Sequence, residues 1–255
     1  MPDCLSRRIA AAPAQKALLK SRGLGAPLVV CALVAFAACS PAGSDPTAST
    51  QRPDSIVPVA TEAPAGSYTL DKAHASLIFR VDHLGFSNFT SRFRRFDARL
   101  EFDPAHPADA NVTVTIDAGS IETDYLDPAT FDFNAMLRGE QWLDTARFPE
   151  ITFRSTGVEL TGPDTMRIDG ELELHGVKRP MVLDARFNGG YVGHPLDRRA
   201  RIGFSAKGAL KRSEFGISLG VPTPSAPLGL GDEVDVIIEA EFNGPAWAAA
   251  APSQG

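Results

Sequence analysis

Apolar side chains recur at every second residue along five stretches of this chain, and no other feature narrows the fold as much. Leu77, Phe79 and Val81 are separated by Ile78 and Arg80 and followed by Asp82. Phe96, Ala98, Leu100 and Phe102 alternate with Asp97, Arg99 and Glu101. Val112, Val114 and Ile116 alternate with Asn111, Thr113, Thr115 and Asp117. Met166, Ile168, Gly170, Leu172 and Leu174 alternate with Arg167, Asp169, Glu171 and Glu173, and Val234, Val236, Ile238, Ala240 and Phe242 follow the same rule. A period of two sends successive side chains to opposite faces of a strand. Each strand then has one apolar and one charged face, the pattern of antiparallel sheet with one face in water.

Further strands are predicted over Ile151–Leu160, Met181–Phe187 and Ile202–Leu210. Asp103-Pro104, Gly162-Pro163, Asn188-Gly189-Gly190 and Gly193-His194-Pro195 supply turns between them. Only Ala129–Leu143 reads as helical. Seven or eight amphipathic strands with one short helix point to an all-β barrel or sandwich. So many long alternating strands favour the barrel, because closure removes exposed edges.

The N-terminal region is of another kind. Arg7, Arg8, Lys16, Lys20 and Arg22 precede an uncharged apolar run, Leu24–Ala38. At 15 residues this run is short for a membrane span and suits the core of a signal peptide. Phe36-Ala37-Ala38-Cys39 resembles a bacterial lipobox, with Phe36 where Leu is usual, and predicts acylation of Cys39. Residues 1–38 are therefore expected to be a signal peptide. Residues 39–66, rich in Pro, Ser and Thr, are expected to be a disordered linker, since such a stretch buries too little surface to offset its ordering entropy. The folded domain is expected over 67–244, with a disordered tail over 245–255. Without the leader the chain carries 20 basic and 30 acidic residues, net −10, which argues against a nucleic-acid partner. All three cysteines fall at or before position 39, so neither disulfides nor a cysteine-zinc site hold the domain.

Catalytic patterns fail on their context. Gly216-Ile217-Ser218-Leu219-Gly220 matches a nucleophile elbow, but Val221-Pro222-Thr223-Pro224 cannot open the helix that motif requires, and the last histidine, His194, lies before the serine. The five histidines include no close ligand pair, so no metal is expected. The carboxylates mostly alternate with apolar residues, as a solvated outer face does.

Six elements, in order, resemble the YceI-like family of lipid/polyisoprenoid-binding proteins. They are Asp71–Phe79, Val81-Asp82-His83-Leu84-Gly85-Phe86, Ser120-Ile121-Glu122-Thr123, Leu137-Arg138 with Phe148–Ser155, Leu174–Pro180, and Lys211-Arg212-Ser213-Glu214-Phe215-Gly216. Two positions depart from the family pattern: Ser91-Arg92 stands where a Gly before Phe93 is frequent, and Gln141-Trp142 where an aromatic pair is usual. The resemblance covers Tyr68–Phe242. It implies a lipocalin-like, extended antiparallel β-barrel of about eight strands in the periplasm, holding a long isoprenoid chain or quinone-like amphiphile, with no enzymatic activity and no cofactor. Membrane attachment would come through Cys39, and a homodimer is left open.

An eight-stranded barrel is just wide enough to fill itself or to hold one slim ligand. The expected ligand wall is Phe79, Val81, Phe93, Phe96, Leu100, Val114, Phe153, Ile168, Leu172, Phe204, Val236 and Ile238 from the strands, with Phe131, Phe133 and Met136 on a capping helix and Trp142 at the mouth. Arg138, His83 and Arg212 are the candidates to meet a polar head group. The alternative is a non-enzymatic structural or interaction domain of the envelope, its barrel filled by its own side chains. A continuous internal cavity of several hundred Å³ separates the two readings.

Overall fold

The computed structural model describes residues 56–127 and 129–247. The signal peptide, Cys39 and most of the proposed linker and tail lie outside the described residues. Eleven strands and one short helix follow in order: β1 (Gly66–Leu70), β2 (Ser76–His83), β3 (Ser87–Phe93), β4 (Phe96–Phe102), β5 (Asn111–Asp117), β6 (Ile121–Thr123), α1 (Phe133–Arg138), β7 (Glu150–Leu160), β8 (Thr165–Leu174), β9 (Val177–Tyr191), β10 (Arg199–Lys211) and β11 (Leu230–Ala246). All pairings are antiparallel. β1, β4, β5, β7, β8, β9, β10 and β11 form a closed ring of eight, in that order, and β2, β3 and β6 continue the sheet from β11.

The same edge of β11 serves two partners. Its C-terminal part pairs with β1 at Phe242 and Asn243, which closes the ring, and Leu230 to Glu239 pair with β2. The barrel is thus shut at the β1 end and extended at the other by β2, β3 and β6. The shut end is plugged by rings. Tyr68 has no exposed surface, and its hydroxyl donates to Pro64 O at 2.6 Å. Burial pushes that phenol up to about 12. Phe102 meets Tyr68 at 6.1 Å and Phe187 at 5.9 Å, and Phe187 meets Phe204 at 5.4 Å. The Tyr68 ring lies on Gly244, where a Cβ would stand 2.2 Å from its Cε1, so β11 must carry glycine there.

The sequence expectations hold for most strands and fail at the ends. β1 and β3 were not legible as strands: β1 is five residues long, and β3 is Ser87–Phe93, largely polar between its phenylalanines. The stretch expected to give the first strand supplies the second. The end of the expected linker is ordered structure. Val59 N donates to Pro163 O, Ala63 is 2 % exposed against Gly190 and Ile202, and Gly66 opens β1. A small side chain there fits beside a bare glycine and gains packing that composition does not reveal. The first residues of the expected tail are structured too: β11 runs to Ala246, and Trp247 N donates to Arg198 O. The helix is shorter than Ala129–Leu143. Asp132 caps it by accepting from Ala135 N at 2.7 Å, and Gly139 turns the chain out after Arg138.

Between β8 and β9 a two-residue turn, His175 (φ 54) and Gly176 (φ 73), has both central residues left-handed, as the twist of a tight hairpin demands. His175 tolerates this because its Nδ1 lies 3.0 Å from Phe215 O and its ring rests 4.7 Å from Phe148.

Outside the ring, where β1 hands the β11 edge to β2, an ion-pair network holds the turn. Arg201 on β10 contacts Asp71 at 2.8 Å, Asp197 at 3.2 Å and Glu241. Burial alone would raise the Asp71 carboxyl, but hydrogen bonds from His74, the Ala73 amide and Arg201 outweigh it and lower it from 3.8 to about 2. The ionised form is favoured in the folded state, so its stabilisation is complete above the unfolded value and is lost as pH falls from about 4 through about 2. Urea unfolding should show the wild type more stable than Asp71→Asn by about 1–2 kcal/mol at pH 6, part of the shift being screened by solvent, and the gap should shrink to near zero by pH 2.

Candidate functional site

The barrel is hollow. An internal cavity of about 730 Å³ runs from the ring plug, where Leu70, Phe102 and Phe242 bound it, to the opposite end, where Leu84, Tyr125, Gly220 and Gly229 do. The hollow exists because several inward positions are small. Ala98 on β4, Ala185 on β9, Ala206 on β10 and Ala240 on β11 all face it. Gly170 on β8 faces inward too and is covered by Phe153, whose Cζ lies 2.3 Å from where a Cβ would be. Larger residues at these places would fill an eight-stranded barrel.

Fifteen of the sixteen expected wall residues line this cavity. The strands bring Phe79 and Val81 from β2, Phe93 from β3, Phe96 and Leu100 from β4, Val114 from β5 and Phe153 from β7. β8 adds Ile168 and Leu172, β10 adds Phe204, and β11 adds Val236 and Ile238. Phe133 and Met136 reach the cavity from α1, and Trp142 from the turn after it. Phe131 is the exception. It precedes the helix, is 46 % exposed and meets Tyr125 edge-on at 6.1 Å and Phe133 at a tilt at 6.2 Å. The helix starts at Phe133, four residues later than expected, which leaves Phe131 outside it and away from the wall. Exposed Leu126 follows Tyr125 directly in sequence, so with Phe131 this end of the cavity has an apolar rim. Sequence reasoning missed Phe89 and Ser91, which face inward with Phe93 on β3, and Ile217 in the loop before β11. The Phe89-x-Ser91-x-Phe93 spacing was the available signal for the first two.

Almost no polarity faces the cavity. Among the lining side chains only His83, Ser91, Tyr125, Trp142 and Arg212 carry nitrogen or oxygen. Of the three residues expected to meet a head group, His83 and Arg212 line the cavity. Arg138 does not, and leans toward Asp132 at 3.8 Å. Arg212 is 4 % exposed and makes four hydrogen bonds to backbone carbonyls. Its Nε donates to Gly231, one terminal nitrogen to Ile217 and Leu219, and the other to Leu230, all at 2.8–3.0 Å. Burial lowers its pKa from the ordinary arginine value, and the Asp232 carboxylate opposes that shift. Its guanidinium also lies 5.8 Å from the Trp142 ring centre. Arg212 thus ties the loop after β10 to the start of β11 and forms part of the wall.

The arrangement offers an enclosed space lined almost entirely by carbon. Gly216–Gly220, the elbow-like pentapeptide, runs from a left-handed Gly216 into a loop tied down by Arg212, with no helix after it. Asp71, His74 and Glu241 are the one trio of metal-ligand type gathered among the described residues, and Arg201 already pairs with both carboxylates. Replacing Arg212 by Met would leave four carbonyls without their donor, two in the loop and two at the start of β11. We expect a loss of at least about 3 kcal/mol in urea unfolding and faster proteolysis within residues 216–229, with Arg212→Lys recovering only part of it.

The same wall and topology place the chain among known proteins. The YceI-like domain model matches residues 68–242. A UPF0312 protein of Azotobacter vinelandii is 36% identical over 186 residues, covering 71% of this chain and 89% of that protein. Protein YceI of Escherichia coli O17:K52:H18 is 36% identical over 184 residues, with the same coverages. The crystal structure of the YceI protein of Campylobacter jejuni superimposes with a TM-score of 0.53 at 27% identity, covering 64% of this chain and 90% of that one. The sequence match spans the whole ring, from Tyr68 in the plug to Phe242 at the closure, and on that match this chain belongs to the YceI-like family.

Proposed function

We propose that this protein is an exported, non-enzymatic lipid holder that takes up a long isoprenoid chain, a polyisoprenoid or a quinone-like amphiphile, in its barrel. The observation that carries the reading is the continuous apolar cavity of about 730 Å³. Wall atoms that face a void forfeit the dispersion contacts a filled core would supply, so a hollow of this size is a standing cost that a ligand relieves. A volume of several hundred Å³ with apolar walls is what a small-molecule site requires. Burying CH₂ groups contributes about 0.8 kcal/mol each, so roughly 20 carbons offer about 16 kcal/mol, against an association cost of about 4–15 kcal/mol. Tight binding then needs almost no polar recognition. The same cavity weighs against a filled structural barrel. The outside of the ring, with Arg99, Glu101, Asp184, Lys207 and Glu239, is charged where a membrane-spanning barrel is apolar, which supports a barrel that works in water.

Extraction of the purified protein with organic solvent, followed by lipid mass spectrometry, should release an isoprenoid or similar amphiphile. The reading fails if none co-purifies and none binds on addition to the delipidated protein. Ala206→Phe, which fills the hollow, should weaken binding at least tenfold while the ligand-free protein keeps or gains thermal stability.

We place the protein in the periplasm, tethered by an acylated Cys39. This rests on the leader, in which a basic segment, a 15-residue apolar run and Ala37-Ala38-Cys39 follow in order. Intact-mass measurement should give an N-terminus at Cys39 bearing acyl chains, and Cys39→Ser should move the protein from the membrane fraction to the soluble one. An unmodified N-terminus elsewhere in the wild-type protein would overturn the tether.

A further inference from the structure

The cavity wall contains one hydroxyl with nothing to bond to. Ser91 on β3 stands opposite Phe79 on β2 and Thr123 on β6 and faces the cavity with Phe79. It is 3 % exposed, and its Oγ has no hydrogen-bond partner. A buried hydroxyl stripped of water and left unpaired lowers stability, and alanine would fill the same place without that penalty. The polar groups nearby are already engaged. Thr123 donates its hydroxyl to Asn134 Oδ1 at 2.9 Å, and the same oxygen takes the Thr123 amide. The other deeply buried polar side chain of the wall, Arg212, gives four hydrogen bonds to the carbonyls of Ile217, Leu219, Leu230 and Gly231. Ser91 therefore holds the spare hydrogen-bonding capacity of this part of the wall.

Its position gives a direction as well. The register places Ser91 level with Phe79 and, through it, with Val236 on β11. Below that level Ile238, Ala240 and Phe242 continue the wall toward the plug, about 20 Å of strand at the usual rise per residue. A chain extending that way meets carbon alone.

We propose that Ser91 is the anchor for the ligand's polar group, and that this group is an uncharged carbonyl or hydroxyl whose apolar chain runs from Ser91 toward Tyr68. The inference deepens the lipid-holding reading above and rests on it. A neutral oxygen suits a lone hydroxyl, which offers one donor and two lone pairs. A diphosphate or carboxylate at the same place would be buried against a single neutral partner, with its charge uncompensated.

The test uses delipidated protein and three probes of one chain length: geranylgeraniol, the corresponding hydrocarbon without the hydroxyl, and geranylgeranyl diphosphate. In Ser91→Ala the alcohol should bind about fivefold more weakly, while the hydrocarbon stays within about twofold of wild type. The ligand-free variant should melt at a higher temperature than wild type, because the unpaired hydroxyl is gone. The diphosphate should bind wild type more weakly than the alcohol does. If the alcohol and hydrocarbon both bind and Ser91→Ala changes them equally or not at all, the anchor is wrong while the lipid-holding reading stands. A diphosphate that binds more tightly than the alcohol overturns the uncharged head group. If no probe binds wild type, the lipid-holding reading falls and takes the anchor with it.

Discussion

The edge of β11 is shared between two strands, and the rest of the architecture depends on how it is divided. Where β1 takes it, at Phe242 and Asn243, the sheet closes on itself and the side chains within converge into a plug of rings. Where β2 takes it, from Leu230 to Glu239, the wall is carried onward through β3 and β6. The division is fixed by close contact at both ends. Gly244 lets Tyr68 lie flat on the β11 backbone, and Asp71 follows β1 directly, where its amide donates to Glu241 O and its carboxylate meets Arg201. A barrel shut at one end and extended at the other is a vessel.

What the vessel encloses follows from side-chain size. Strands of this barrel alternate as any half-exposed strand does, but alanines at 98, 185, 206 and 240 sit among the inward residues. Close packing is the ordinary state of a protein interior. Here it is reached at the plug, where Tyr68 and Ile202 are almost fully buried, and abandoned above it. Two clusters of buried side chains build the wall. One gathers around the plug, and the other lies around Phe153, Leu172 and Phe215 toward the β8–β9 turn.

The few polar groups of the wall divide by whether they are satisfied. Arg212 belongs to the scaffold: a cation buried with four carbonyl acceptors pins a loop that would otherwise carry orphan oxygens. Ser91 is its opposite, a small group with capacity to spare. In the proposed binding mode the affinity comes from carbon, and Ser91 sets which way round the ligand lies.

Much of this was legible in the chain itself. The inward set on β4, β8 and β11 could be read residue by residue, because the pleat of a strand sends alternate side chains to opposite faces whatever the tertiary fold. Other features lay beyond that reading. β3 hid behind Asn88, Thr90 and Arg92, and its strand state comes from pairing with β2 and β6. Phe131 shares its neighbourhood and chemistry with Phe133, yet the start of α1 between them sends one outward and one into the wall. The packed segment around Ala63 looks like linker, since only a glycine more than a hundred residues away makes room for it. The sequence by itself thus determined which face of each strand is apolar and that an antiparallel all-β domain would follow. Only the tertiary structure decided that those faces enclose a space and leave it unfilled, because enclosed volume depends on the curvature and register of eight strands together and is a property of no single one.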